Sequence, residues 1–263
     1  MALLTLQATM PANHERISSV DALRAVAMLW MTAYHFCYDL NWFGWWRQSF
    51  LTDPFWVFQR SAIVSLFMFC AGYGQALAVR AGQPQTRFWR RWAQIAAGAA
   101  LVSLASWWVF PRTWIYFGVL HAMAVMLVVL RLGGPWLMRH QAALPVLAAA
   151  AIGSAWLATA WPGTGPWADG LNRAPVNLLG WVSRKPVTED YVPILPWIGP
   201  MLLGFWAGCR GWLERPVQNR ALDLRRSTPL PALARLGRYS LSYYLLHQPV
   251  LLAGLWLADR LWR

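Results

Sequence analysis

The chain has 263 residues, of which 58% are hydrophobic and only 13% are charged. Soluble domains carry about 25% charged residues, and apolar runs of 18 or more residues recur along the whole length, which excludes a soluble protein. The net charge of +13 does not indicate a nucleic-acid partner, because the basic residues lie in short connections between apolar runs. The composition predicts an all-α, polytopic bundle of transmembrane helices.

The apolar runs predict seven membrane spans. In chain order they are Val20–Tyr38, Phe55–Val79, Phe88–Phe110, Ile115–Leu130, Leu144–Trp161, Val192–Cys209 and Tyr239–Ala258. The chain then divides into a tail (1–18), a transmembrane domain (19–258) and a short second tail (259–263). No cleavable signal peptide is predicted, so we expect the first span to serve as a signal anchor.

Lys and Arg alternate between the connections and predict the orientation. Thirteen arginines lie in the connections after spans two, four and six or in the first turn of the following span: Arg80, Arg87, Arg90, Arg91, Arg131, Arg139, Arg210, Arg215, Arg220, Arg225, Arg226, Arg235 and Arg238. The other connections contain only five basic residues, diluted by carboxylates. We therefore predict a multi-pass protein of the inner (plasma) membrane, with a cytoplasmic N-terminus and an outer C-terminus. The longest outer connection, from Pro162 to Tyr191, is predicted to be an ordered loop without helix.

Four ionisable residues lie in the first span or directly at its end: Asp21, Arg24, His35 and Asp39. At 100° per residue they share one helix face, which should point into the bundle because buried charges are costly. Asp21 and Arg24, three residues apart, are either a structural, neutralising pair or part of a functional site. His35 and Asp39, one turn apart, are predicted to be catalytic, with the carboxylate orienting the imidazole.

Further polar residues at similar depth are Arg60, His121 and His247. Each alone is more often a hydrogen-bonded packing residue. Together with His35 they predict one polar cavity that opens outward. No His or Cys spacing is typical of a zinc site, and Cys37, Cys70 and Cys209 are dispersed among the spans, so we predict neither a metal site nor a disulfide.

The segment RISSVDALRAVAMLWMTAYHFCYDL resembles the first span of a membrane-bound acyltransferase superfamily, which carries an Arg, ten residues and a His. The residues of this segment are similar to those of the heparan-alpha-glucosaminide N-acetyltransferase catalytic-domain family and its bacterial relatives. Four later blocks resemble that family in the same order: SLFMFCAGYG, YFGVLH, EDYVPILPW and LGRYSLSYYLLHQPV. The ordered set spans almost the whole chain.

The resemblance implies transfer of an acyl group, typically acetyl from cytoplasmic acetyl-CoA, to a sugar amine or hydroxyl on the far side. Arg24 and His35 match the functional pair of the superfamily. His35 is then either a general base or an acyl-accepting nucleophile. Arg60, His121, His247, Asp190 and Trp197 are the candidates for substrate binding.

The expected partners are therefore membrane lipids, acyl-CoA as a co-substrate rather than a tightly bound cofactor, and an envelope glycan or other sugar acceptor. A homodimer is left open. The alternative from another class is a small proton-coupled transporter, because buried His and Asp also form proton relays. A catalytically inactive scaffold is the third reading.

Overall fold

The computed structural model describes residues 18–160, 166–214 and 230–262. These residues form helices and connections, without a β-strand. In chain order the helices are α1 (Ser18–Trp42), α2 (Pro54–Arg80), α3 (Gln85–Val109), α4 (Val119–Arg139), α5 (Leu144–Ala160), α6 (Pro166–Asn172), α7 (Ile194–Cys209), α8 (Leu230–Gly237) and α9 (Ser240–Trp262). Two short 3-10 turns cover Gln141–Ala143 and Val176–Leu179. The fold is the all-α class that the composition predicts.

Among the described residues, three helices are long and apolar enough to cross a membrane: α2, α3 and α4. α3 lies at the edge of the bundle, since only 17% of its most apolar stretch is buried. Large apolar side chains on its surface are what a lipid-facing helix presents. The apolar helices Gln141–Ser154 and Ile194–Cys209 are shorter, and α1 carries the ionisable residues already described. The count of seven spans and the sidedness of the termini stay predictions.

Each predicted span overlaps one long helix, but the fourth is displaced. Residues 115–118 are not helical; Phe117 instead pairs with Tyr191 in an isolated β-bridge. α4 also continues past Arg131, which was expected in a connection. The Arg131 guanidinium reaches back to the Gln83 carbonyl at 2.5 Å and the Gln85 side chain at 3.1 Å. A long cationic side chain that extends toward the helix end in this way allows the helix to continue.

Two other predictions on the connections need correction. The connection between 162 and 191 contains α6 and a 3-10 turn, although no helical period was apparent. α9 continues to Trp262, four residues past the predicted end of the last span. Residues 1–17 of the predicted tail (1–18) and the basic residues Arg215, Arg220, Arg225 and Arg226 lie outside the described residues.

Contacts between helices define two ends of the bundle. We call the end where α1 finishes and α2 begins the distal end, and the opposite end proximal. α2 starts distally with Pro54 at its first position, and the Asp53 carboxylate accepts the N–H of Phe55 at 2.8 Å. This is a side-chain N-cap, which satisfies a backbone donor that the helix cannot.

α9 runs parallel to α1, and this pairing sets the geometry of the candidate site. Thr32 on α1 hydrogen-bonds to the Tyr243 hydroxyl at 2.7 Å. Nearer the distal end, the Trp45 indole beyond α1 donates to Asp259 on α9 at 2.9 Å. The two contacts are thirteen residues apart on one chain segment and sixteen on the other, so the helices stay in register over several turns.

α2 and α7 also run parallel and pack closely through glycines. A Cβ on Gly72 would overlap the carbonyl of Met201, and one on Gly204 would overlap the carbonyl of Phe69. Small residues let two backbones approach, which is how helices pack where water supplies no hydrophobic driving force. The pair forms the centre of the main core cluster, into which α4 contributes Met126.

Candidate functional site

The four ionisable residues predicted on one face of α1 form two parts in the structure. Asp21 and Arg24 lie at the proximal part, and His35 and Asp39 lie at the distal part. Arg24 and His35 are eleven residues apart on one uninterrupted helix. At 1.5 Å per residue they lie about 16 Å apart along its axis. The two parts therefore cannot act on the same reacting atom.

At the proximal part, Arg24 Nη1 lies 2.7 Å from Asp21 Oδ1. Asp21 is 4% exposed, and its backbone carbonyl is packed so closely by α8 that a Cβ at Gly237 would overlap it. Gly74 of α2 lies against the guanidinium, because a Cβ there would come within 3.0 Å of Nη2. The expected pair is present, and its contacts join α1, α2 and α8.

At the distal part, His35 of α1 contacts His247 of α9. Their ring centroids are 5.2 Å apart with the planes inclined at 66°. Tyr243 stacks parallel to the His247 ring at 6.3 Å. The parallel register of α1 and α9 therefore brings together two histidines that are 212 residues apart in the chain.

Asp39 does not bond to His35, contrary to the expectation that it orients the imidazole. The carboxylate is 2% exposed and accepts from the Gln248 amide, at 2.8 Å for Oδ1 and 3.0 Å for Oδ2. The physical reason is the register of α9, which places an amide donor next to the carboxylate. His35 Nδ1 is buried without a hydrogen-bond partner among the described residues.

The two nitrogens of His247 differ. Nδ1 lies 2.6 Å from the backbone carbonyl of Tyr244. Nε2 is buried and has no partner in the described part of the chain, and the same holds for Gln248 Oε1. With His35 Nδ1 these are three unsatisfied polar atoms at one level of α1 and α9. Buried polar atoms of this kind are normally bonded, so the site is suited to a polar ligand.

His121 belongs to a different set of contacts. It lies in the first turn of α4, because the helix begins at Val119 and not at Ile115, where the predicted span begins. Its Nδ1 accepts the Gly118 N–H at 3.2 Å, and Nε2 lies 3.0 Å from Ser103 Oγ. The Ser103 hydroxyl donates to the Ile115 carbonyl at 2.7 Å. Nδ1 is thus occupied at the start of α4 itself, and Nε2 connects that start to α3. The hydrogen bonds and ring contacts of His121 among the described residues reach neither His35 nor His247, so the common polar cavity stays a prediction.

Asp190 caps the same helix from another segment. Its Oδ2 accepts the N–H of Val119 at 2.9 Å, which satisfies a free donor at the start of α4. Burial raises the pKa of the Asp190 carboxyl, and the Val119 hydrogen bond and the nearby charges of Lys185 and Arg60 oppose that rise. Arg60, the seventh residue of α2, thus lies close enough to Asp190 to influence its charge.

Trp197 lies in the first turn of α7 and packs, partly buried, against the main core cluster. No group of three His, Cys, Asp or Glu side chains that could hold a metal ion is found in residues 18–160, 166–214 and 230–262.

The residues that sequence reasoning missed are uncharged and polar. Gln248 donates to Asp39, and Ser103 hydrogen-bonds to His121. Tyr243 is anchored to α1 by its hydroxyl and stacks on His247. Gln248 could have been found, because an amide in the middle of an apolar helix, directly after a histidine, needs a partner. Which partner it takes depends on the register of α9 against α1.

Helices apolar enough to cross a membrane, together with a polar cluster buried between α1 and α9, define an integral membrane protein with an internal polar site. The chain belongs to the family described as heparan-alpha-glucosaminide N-acetyltransferase, catalytic, whose model matches residues 16–249. The family that the sequence blocks indicated is thereby confirmed. No curated protein and no solved structure matches the chain at a significant level.

Membership assigns the protein to the membrane acetyltransferases in general. Enzymes of the family are N-acetyltransferases that use acetyl-CoA as the donor and a sugar as the acceptor. The expectation of an acyltransferase is confirmed at that level.

Proposed function

We propose that this protein moves an acetyl group from acyl-CoA on the cytoplasmic side of the membrane to a sugar amine or hydroxyl on the outer side. The observation that carries the proposal is the His35–His247 contact, with its unsatisfied nitrogens, inside a chain of this acetyltransferase family. An imidazole nitrogen without a partner can take a proton from an attacking nucleophile.

The proposed orientation places the proximal end in the cytoplasm. The last residue of α2 is Arg80 and the first turns of α3 are rich in Arg, and Arg87 and Arg90 are exposed there. Positive charge is concentrated on the cytoplasmic side of membrane proteins, and guanidinium groups suit the phosphates of a CoA donor. An inner (plasma) membrane location is proposed on the same ground.

The separation of about 16 Å between Arg24 and the His35 level supports a division of labour along α1. A CoA thioester carries its phosphates and its acyl group at opposite ends of a long arm. We propose that the donor enters proximally near Arg24 and presents the thioester at His35, where Asp39 and Gln248 hold α1 against α9. Arg60 and Trp197 are kept as candidates to bind the acceptor. His121 and Asp190 are occupied in holding α4 and take no part in the proposed reaction.

The acceptor is proposed to be an amino sugar or a sugar hydroxyl of an envelope glycan. The distal connection between α1 and α2 and the segment before α7 provide exposed aromatic side chains, among them Trp46 and Trp181. Such rings pack against the apolar faces of sugars while their N–H groups remain in water.

The test is release of free CoA thiol from acetyl-CoA by the purified protein in liposomes, with glucosamine or a glucosamine-terminated oligosaccharide enclosed. With acetyl-CoA labelled in its acetyl group, we expect thiol release that depends on the acceptor, and we expect the labelled acetyl group on the sugar. Absence of acceptor-dependent release with either sugar would contradict the proposal. A proton flux without acetyl transfer, abolished by Asp39→Asn, would instead favour the transporter.

A further inference from the structure

His247 has a fixed arrangement of its ring hydrogen. The Tyr244 carbonyl oxygen, 2.6 Å from Nδ1, can only accept a hydrogen bond. Nδ1 therefore carries the hydrogen, and in the neutral ring Nε2 has a free lone pair. A hydrogen bond on one ring nitrogen that sets the state of the other is the usual way in which a protein prepares an imidazole to accept a proton.

The ring is also held in position from both helices. Tyr243, which stacks parallel to His247, is itself anchored through its hydroxyl to Thr32 on α1. One residue further along, Gln248 is bound to Asp39. These two anchors lie on either side of His247 in the chain. The direction of the free Nε2 is thus set by contacts between α1 and α9.

The unsatisfied atoms lie together at this level. Seven buried side-chain atoms in the described ranges lack a partner, and three of them belong to His35, His247 and Gln248. The three atoms are His247 Nε2 with its lone pair, His35 Nδ1 and Gln248 Oε1. A hydroxyl or amine could satisfy them, since such a group both donates and accepts hydrogen bonds. The set is a place for the nucleophilic group of the acceptor.

We propose that His247, through Nε2, is the general base of the acetyl transfer, and that His35 binds the acceptor or the acetyl group beside it. The inference rests on the proposed function and assigns the proton-accepting step within it. His35 is less suited to that step, because no carbonyl of the described residues fixes its ring hydrogen and Asp39, its carboxylate neighbour, is bound to Gln248.

The acceptor nitrogen or oxygen attacks the thioester carbonyl carbon, and its proton passes to His247 Nε2. A new C–N or C–O bond forms, and the C–S bond breaks. The thiolate then takes the proton from the imidazolium, so that CoA leaves as the free thiol and His247 returns to its neutral state. No oxidant, metal or further reactant is needed.

Two substitutions separate a base from a structural role. His247→Asn keeps an amide N–H near the position of Nδ1, so the contact with the Tyr244 carbonyl can persist without a basic nitrogen. His247→Gln places a polar, non-basic atom near the position of Nε2. We expect both variants to bind acetyl-CoA and unfold thermally like the unchanged protein, and to lose about 100-fold or more of kcat in acetyl transfer.

The decisive readout is chemical rescue. His247→Ala leaves a space beside His35, and added imidazole should restore part of the transfer rate in proportion to its concentration. Asn or Gln variants with rates within threefold of the unchanged protein would overturn the inference while leaving the acetyltransferase assignment intact. A folded Ala variant that imidazole does not accelerate would overturn it as well. If the unchanged protein transfers no acetyl group, the proposed function fails, and this inference fails with it.

Discussion

Asp39 and His35 show how an interpretation at the scale of single residues depends on a neighbouring helix. Their spacing of four residues predicts a pair on one face, and both do lie on that face of α1. The carboxylate nevertheless bonds to Gln248, which lies 209 positions away. The i,i+3 pair of Asp21 and Arg24, in contrast, forms as the spacing predicts.

At the same scale, the hydrogen bonds require opposite ring states in two histidines. His121 accepts at Nδ1, so its hydrogen lies on Nε2, whereas His247 carries its hydrogen on Nδ1. We expect ¹⁵N spectra of the five histidines, recorded at a pH above the usual range of histidine titration, to show the hydrogen on Nε2 for His121 and on Nδ1 for His247. Assignment by His121→Gln and His247→Asn identifies them. The same tautomer in both rings would contradict the geometry.

At the scale of elements, the sequence predicts helices well and contacts between them poorly. Apolar length is a local property, so each predicted span overlaps a helix, with α2 correct to one residue at either end. The start of the fourth span is wrong because Ile115 and its neighbours are apolar enough to be assigned to a helix, whereas Phe117 pairs with Tyr191 instead. That pairing is a contact over 74 residues, which no local pattern contains.

The α2–α7 contact provides a prediction at this scale. Gly204→Ala places a Cβ on the Phe69 carbonyl, so the two backbones must separate. We expect a loss of about 1–3 kcal/mol or more in the free energy of unfolding, measured by thermal unfolding in detergent. The matched control is Gly254→Ala on α9, where a Cβ meets nothing within 4 Å.

The control variant Gly254→Ala should gain about 0.5–1 kcal/mol in the free energy of unfolding, because Ala is favoured over Gly inside a helix. Equal midpoints for the two variants would show that α2 and α7 are not in close contact in the protein.

At the scale of the whole molecule, the alternating basic connections predict that the distal and proximal ends face opposite sides of the membrane. Leu51 is 64% exposed at the distal end, and Thr86 is exposed at the start of α3. In a background with Cys37, Cys70 and Cys209 replaced by Ala, we expect Leu51→Cys to react with an impermeant maleimide in right-side-out vesicles. Thr86→Cys should react only in inverted vesicles, and both should react in detergent. Reaction of both from the same side would contradict the topology.

The class of the whole molecule could be predicted from the sequence because ordered blocks of residues carry the family likeness and because membrane spans need only length and hydropathy. The site could be predicted only in part. His35, Asp39 and His247 are ionisable and conspicuous in apolar helices, whereas Gln248 and Tyr243 acquire their roles only once α9 is packed in register against α1.

The most direct test of the account is the rate of acetyl transfer from acetyl-CoA to an amino-sugar acceptor for three variants of the purified protein. His35→Ala and His247→Asn alter the buried pair, and His140→Ala removes an exposed ring that stacks on Trp136 at the proximal end of α4. We predict that the first two variants lose about 100-fold or more of kcat and that His140→Ala matches the unchanged protein. Unchanged rates in both His35→Ala and His247→Asn would show that the chemistry does not take place between α1 and α9.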